Sequence, residues 1–456
     1  MLINNCYTFG MKQLERGIKG IKMKKWLLLA LTLLPSLAFA EDTLDSGDTA
    51  WMMMSTALVL LMTPAGLALF YGGMTRSKNV LNTYAMVFMA FMVAFVAWIV
   101  AGYSVAFGTA SSAGVQTFMG GFGNMFLDGI KYSDLSGTYP TYVFVAFQGT
   151  FAAITVAIAS GSVIERIKFS TWLVFVAIWT IVVYAPITHM VWGGDGALLF
   201  DAGALDFAGG TVVHMNGGLA GLVLAVLVGK RKGHGKVAMK PMSVMLTALG
   251  GSLLWFGWFG FNAGSAFGAN SIAGLAQLTT VLAPAVGALT WLLIEYIVYK
   301  KATLLGGVSG LVAGLVAITP AAGFVDVSGA FIIGTVGSAI GFFGVAVMKK
   351  KLGYDDSLDA FGIHFLAGLW GALATAFLAV NDQDLLWDGP LKESGDRIGQ
   401  FMVQVESVVV VGLFTLIGTV VVYYIASALT GGGRVDEETE EIGLDETVHG
   451  EKVMNI

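Results

Sequence analysis

The sequence predicts an all-α polytopic membrane protein of eleven transmembrane helices, built as a five-plus-five inverted repeat with an additional eleventh helix. Three observations predict it. Hydrophobic residues make up 56% of the 456-residue chain and charged residues only 12%, against roughly 25% charged in a soluble domain. The apolar residues fall in long runs, and a chain in lipid satisfies its own backbone hydrogen bonds as helices of ~20 residues. Basic residues follow every second run. The composition also excludes a disordered chain, which needs low hydrophobicity and high charge. A net charge of −5 gives no basic footprint for nucleic acid. The one cysteine, Cys6, leaves no intrachain disulfide and no Cys-based metal site.

The first forty residues read as an address. Lys24 and Lys25 precede the apolar run Trp26 to Leu34, and Ala38-Phe39-Ala40 closes the stretch before Glu41-Asp42. A basic region, a short apolar region and an A-x-A site make a secretory signal peptide. Residues 1–40 are therefore expected to be an N-terminal extension with a cleavable signal peptide, and the mature chain to start near residue 41. Met23 is the natural start of that signal. A membrane domain is expected over 48–430 and a cytoplasmic regulatory tail over 431–456.

Eleven apolar spans follow, near 51–73, 80–107, 141–162, 171–191, 210–229, 242–265, 275–298, 304–320, 328–348, 360–380 and 402–429. Arg76 and Lys78 follow the first, Arg166 and Lys168 the third, and Lys230, Arg231, Lys232 and Lys236 the fifth. Lys300 and Lys301 follow the seventh, Lys349 to Lys351 the ninth, and Arg434 the last. Basic loops stay on the cytoplasmic side. The mature N-terminus is thus expected outside and the C-terminus inside. Many of the 61 glycines lie within spans, where small residues let helix backbones approach closely.

The repeat shows in two spans. The fifth reads His214-Met-Asn-Gly-Gly218-Leu219-Ala-Gly221 and the tenth His364-Phe-Leu-Ala-Gly368-Leu369-Trp-Gly371. The four shared positions lie 150 residues, or five spans, apart. Five is odd, so the copies cross in opposite directions, the pattern of an inverted repeat with its axis in the membrane plane.

His214 and His364 are the two histidines in apolar surroundings at matching positions. Polar side chains at membrane depth are costly and usually face a cavity or a partner. Two imidazoles can pass a proton or hydrogen-bond a small polar solute; two core histidines satisfied by backbone are the other reading. A metal site is weaker, because no further ligand set accompanies the pair. Asp206 lies just ahead of His214, where a helix N-cap is expected and where its charge also suits a cation. Asp359 precedes His364 in what reads as the matching place. Phe147, Phe151, Trp192, Trp258, Phe259 and Phe261, with Ser265, gather toward the outer ends of their spans. An interfacial aromatic belt is one account of them. A cage for a small ammonium-like ion is the other, each aromatic face binding a cation by ~0.5–2 kcal/mol.

Several strings together resemble the Amt/Mep/Rh ammonium transporter family, most of all its bacterial AmtB-type members. They are Phe70-Tyr-Gly-Gly73, Lys78-Asn79-Val80, Ala146-Phe147-Gln148-Gly149, Glu165-Arg166, Asp206-Phe-Ala-Gly-Gly-Thr-Val-Val-His214, Trp258-Phe-Gly-Phe-Asn-Ala-Gly-Ser265 and Asp359-Ala-Phe-Gly-Ile-His364, with Gly443-Leu-Asp445 and His449-Gly-Glu451 in the tail. The resemblance implies an eleven-helix inverted-repeat homotrimer in the bacterial cytoplasmic (inner) membrane, with one pore per subunit. It implies an outer ammonium site of Trp192, Ser265, Phe147 and Phe151, a gate of Phe151 and Phe261, twin pore histidines His214 and His364, and Asp206 supporting the entrance. It implies a PII-type regulator docking at the cytoplasmic face, no cofactor, no metal and no enzymatic activity. Moving bare ammonium through a dry pore costs tens of kcal/mol in an idealised continuum, whereas ammonia avoids most of that. The expected sequence is therefore capture of the cation, deprotonation near the phenylalanines and passage of ammonia past the histidines, with or without separate proton transfer. The alternative is an ammonium sensor (a transceptor) signalling through its tail.

Overall fold

Asp45 opens the first long helix: its carboxylate accepts from the Asp48 backbone N–H at 2.8 Å, an N-cap that starts the helix five residues ahead of the expected limit. The computed structural model describes residues 43–380, 386 and 388–453. The expected signal peptide lies outside the described residues. From Leu44 the described chain is one compact helical unit.

Among the described residues, ten helices are long and apolar enough to cross a membrane. We label them, with one shorter helix, in chain order: α1 Ser46–Met74, α2 Ser77–Phe107, α3 Thr141–Ser160, α4 Phe169–Trp192, α5 Gly210–Val228, α6 Val244–Ala263, α7 Ser271–Tyr299, α8 Leu304–Ile318, α9 Val327–Leu352, α10 Phe361–Leu378 and α11 Arg397–Leu429. The chain is an all-α polytopic membrane protein. The α8 helix has 15 residues, fewer than the ~20 that span a bilayer unaided, because the backbone leaves the helix for a turn over 319–324. The α3 helix ends the same way, in a turn over 161–166. Each turn is followed by a residue in a single antiparallel bridge: Ile167 with Arg434 after α3, and Val325 with Ala379 after α8. The α11 helix begins at Arg397, ahead of the expected 402, because the Asp396 carboxylate caps it by accepting from the Gly399 N–H.

Loops after α1, α3, α5 and α9 meet on one face through buried charge. Arg76 Nε donates to Glu165 Oε2 at 2.7 Å. Arg231 reaches the same Glu165 oxygen at 3.3 Å and Asp355 Oδ1 at 2.8 Å. Arg166 donates to the Gly229 and Asp355 carbonyls, both at 2.6 Å, and to Ser357 Oγ at 2.7 Å. Burial alone would raise the Glu165 and Asp355 carboxyls. Hydrogen bonds and charge outweigh it and hold both below the usual carboxylate range, from Arg76 and Arg231 at Glu165 and from Arg231 and Arg166 at Asp355.

The tail folds back against this face. Helices Glu437–Ile442 and Leu444–His449 flank Gly443, whose φ of +118° suits glycine. The Leu444 N–H donates to Asn79 Oδ1 and the Asn82 N–H to Asp445 Oδ1, each at 2.8 Å. Lys78 Nζ donates to the Glu440 and Glu441 carbonyls, and the Lys232 N–H to Glu440 Oε1 at 2.5 Å. The Gly-Leu-Asp string is thus a docking element for the start of α2.

Candidate functional site

Three side chains at the centre of the bundle come from widened, π-type turns rather than regular α-helix. His214 lies on Gly210–Met215, His364 on Phe361–Phe365 and Phe261 on Phe259–Ala263. Such turns re-aim side chains and are frequent at functional sites. The turn under His214 is fixed by Asp206. Its carboxylate accepts from the N–H groups of Gly209, Gly210, Thr211 and Val212 at 2.6–3.1 Å and from Thr211 Oγ1 at 2.5 Å. In the second half, Asp356 accepts from the N–H groups of Ala360 and Phe361 at 3.2 and 2.8 Å. Asp356 stands 150 residues after Asp206, the same shift as between the histidines. Asp356, not Asp359, is therefore the counterpart of Asp206. Asp359 has φ +64° where the first half has Gly209 at φ +107°, and its carboxylate accepts from Lys349 Nζ at 2.6 Å.

The halves meet reciprocally. A Cβ on Gly218 would meet Phe365 and His364, and one on Gly368 would meet Gly210 and His214. The Phe207 N–H donates to the Pro320 carbonyl at 3.1 Å, and the Leu358 N–H to the Gly161 carbonyl at 2.9 Å. These paired contacts bring the imidazoles together. His214 Nδ1 and His364 Nδ1 are 3.2 Å apart, with ring centroids 5.4 Å apart and planes 22° from parallel. Both rings are buried. His214 also stacks on Trp258 at 5.2 Å, and Trp258 Nε1 donates to Thr319 Oγ1 at 2.9 Å. His214 Nε2 has no hydrogen-bond partner among the described residues. His189 differs: both its ring nitrogens lie within hydrogen-bond distance of backbone carbonyls, those of Ala106 and Gln116.

Phe261 lies 5.8 Å from the His214 ring and stacks on Phe151 at 4.1 Å, 16° from parallel. Beyond Phe151 a cavity of about 410 Å³ opens, its wall including Gln148, Trp192, Phe207, Ser265 and Phe267. Trp192 stands edge-on to Phe151 at 6.3 Å, and its Nε1–H is already donated to the Asp206 carbonyl at 2.8 Å. The indole therefore offers a face and no donor. Ser265 Oγ donates to the Phe261 carbonyl at 2.8 Å, which leaves oxygen lone pairs to accept. Phe147 is brought close without reaching the wall: it packs behind Phe151 at 4.9 Å and is fully buried.

Sequence reasoning missed Gln148, Phe207 and Phe267 as wall residues. Gln148 and Phe207 sit inside strings already singled out, and Phe267 lies two residues beyond Ser265, so proximity in sequence was the available signal. Among the described residues no group of three His, Cys, Asp or Glu side chains is placed to hold a metal ion.

The family model described as Ammonium Transporter Family matches residues 50–454. The chain belongs to the ammonium transporter family. It is 46% identical over 437 residues to the ammonium transporter of Aquifex aeolicus, covering 94% of this chain and 98% of that one. With the ammonium transporter of Bacillus subtilis it shares 45% over 412 residues, 90% of this chain and 98% of that one. The crystal structure of Candida albicans Mep2 superposes with a TM-score of 0.78 at 32% identity, covering 87% and 88% of the two chains. A structure described as "Sensor Amt Protein" gives a TM-score of 0.80 at 27% identity, covering 88% and 98%. The chain is an ammonium transporter and not an enzyme. The transporter therefore carries ammonium, and its polar and aromatic features run in order from a cavity, past stacked rings, to a buried imidazole pair.

Proposed function

We propose that the transporter binds ammonium at Trp192, Ser265 and Phe151, with Phe147 backing Phe151, and strips its proton beside the Phe151–Phe261 gate. Ammonia then passes along His214 and His364. The observation that carries this reading is the imidazole pair set directly behind a stacked ring pair. The rings leave no space for a hydrated ion, and the paired nitrogens offer hydrogen bonds to a neutral solute. Aromatic faces and the Ser265 oxygen hold a cation, whereas a closed apolar constriction rejects it. Potassium is held at the same place and stops there, having no proton to give up. Asp206 acts through the turn it fixes under His214.

The topology belongs to the same proposal. Residues 1–40 form the extension and cleaved signal, 48–430 the membrane domain and 431–456 the regulatory tail. Eleven helices cross the inner membrane as an inverted repeat plus one, with the N-terminus outside and the C-terminus cytoplasmic. The shared face of the loops after α1, α3, α5 and α9, which bears Arg76, Arg231 and Lys232, supports that orientation. Three copies assemble as a trimer, and the docked tail offers its face to a PII-type regulator. The curated relatives are named transporters, and the sensor reading is not favoured.

The test is an ammonium pulse on proteoliposomes with current and internal pH recorded together. A current absent from empty liposomes means that net charge crosses with ammonia, and its loss in His214→Ala or His364→Ala assigns the proton's path to the histidines. Internal alkalinisation without current means that the proton stays outside. Neither signal from folded protein overturns the mechanism.

A further inference from the structure

The wall of the outer cavity holds two charged side chains among the described residues, Asp388 and Lys392. They stand four residues apart, and Lys392 Nζ lies 3.1 Å from Asp388 Oδ1. The segment that carries them is docked. Leu386 and Leu391 are buried. The Gln400 amide donates to the Gly203 carbonyl at 2.8 Å and accepts from the Leu391 N–H at 3.3 Å. Gly389, at φ +147°, sits so close to Gly203 that a Cβ would fall 3.0 Å from its Cα. Deeper in the same wall, Gln148 Oε1 is buried and has no hydrogen-bond partner among the described residues.

We infer that Asp388 is the carboxylate that gathers ammonium at the outer mouth, and that Lys392 is a built-in cation that tempers it. The inference rests on the reading of this cavity as the entrance for ammonium. Among the described residues the rest of the wall is uncharged, so this pair contributes the charge that they present to an arriving cation. A lone carboxylate at the mouth raises the local concentration of every cation, potassium included. The Lys392 head group neutralises part of that field. It is also a nitrogen cation with N–H donors, so the pair shows Asp388 already accommodating the chemistry of the substrate. Arriving ammonium competes with Lys392 for Asp388, then moves inward to the Gln148 and Ser265 oxygens and the aromatic faces. The Asp388 side chain is 91% exposed, so its pull is modest and screened by salt.

The test is the KM for ammonium uptake by the full chain in proteoliposomes at low and high salt. Asp388→Asn leaves Lys392 unpaired at the mouth, and KM rises by about two- to five-fold at low salt. Lys392→Gln frees Asp388, and KM falls by a similar factor at low salt, an advantage that added salt removes. The double variant has a KM insensitive to salt. Single variants that shift KM in the same direction overturn the inference. If neither moves KM while Trp192→Ala does, the cavity is the entrance and the inference about the pair falls. If none of the three moves KM, the reading of the cavity falls with it.

Discussion

Replacing Gly218 by alanine tests how closely the two halves must approach. The new Cβ falls 2.6 Å from the Phe365 backbone nitrogen, 3.1 Å from the Phe365 Cβ and 3.2 Å from the His364 Cβ. Ordinary contact needs ~3.5 Å, so the start of α10 has to retreat by about 0.9 Å from its 2.6 Å approach. The listener to that shift is the imidazole contact, which at 3.2 Å has little room before it ceases to be a hydrogen bond. The matching change, Gly368→Ala, meets the Gly210 carbonyl oxygen at 3.0 Å and the His214 Cβ at 3.3 Å, and needs a retreat of only about 0.5 Å. Overpacking of this kind costs ~1–3 kcal/mol. Gly218→Ala should therefore lower both the ammonium flux in proteoliposomes and the melting temperature in detergent, and Gly368→Ala should do so less. Wild-type flux in Gly218→Ala, or a larger loss in Gly368→Ala, would refute the reasoning.

Other outcomes follow from the same structure. Trp192→Ala removes one aromatic face worth ~0.5–2 kcal/mol to a bound cation, so KM for ammonium should rise about two- to thirty-fold; an unchanged KM removes the indole from the site. Arg231→Gln strips Asp355 of its bidentate partner and should cost ~3–5 kcal/mol at neutral pH. Because the Asp355 carboxyl is held below its usual range, the wild-type contribution is present above the unfolded value near pH 4 and is lost as pH falls through the lowered one. Without Arg231, burial lifts that carboxyl, which then takes a proton in mild acid. The gap in melting temperature between variant and wild type should thus narrow from pH 7.5 to pH 5, and a constant gap counts against the account. Gly443→Val puts a Cβ 2.6 Å from the Lys78 carbonyl at φ +118° and should release the tail, read as faster tryptic cleavage at Arg434; equal cleavage rates would show that the tail is held elsewhere.

Hydropathy and charge made the helices legible, because a helix that faces lipid must be apolar along its whole length. The ends were less legible. Caps such as Asp45 and Asp396 lie outside the apolar runs, and α8 stops early for a turn that hydropathy does not see. The histidine pair was legible through its matching glycines, since Gly218 and Gly368 are what let the rings meet. The aspartates were not. Counting back from His364 drew attention to Asp359, the nearest carboxylate, although Asp356 keeps the 150-residue spacing and makes the backbone contacts. The widened turns under His214, His364 and Phe261 leave no mark in composition or periodicity. They depend on where a backbone hydrogen bond is skipped, and that choice belongs to tertiary packing.

The contact between His214 and His364 has a consequence for direction. It joins two chemically identical atoms, both Nδ1, and a hydrogen bond needs one donor and one acceptor. With both rings neutral, the two histidines, set 150 residues apart, therefore hold different tautomers at any instant. The ring that donates through Nδ1 keeps a bare Nε2, and the ring that accepts carries its hydrogen on Nε2. The pair therefore presents a base at one end and an acid at the other, although the turns that hold the two rings match. A proton relayed through both rings leaves them with their roles exchanged. The next proton in the same direction has to wait until they turn back.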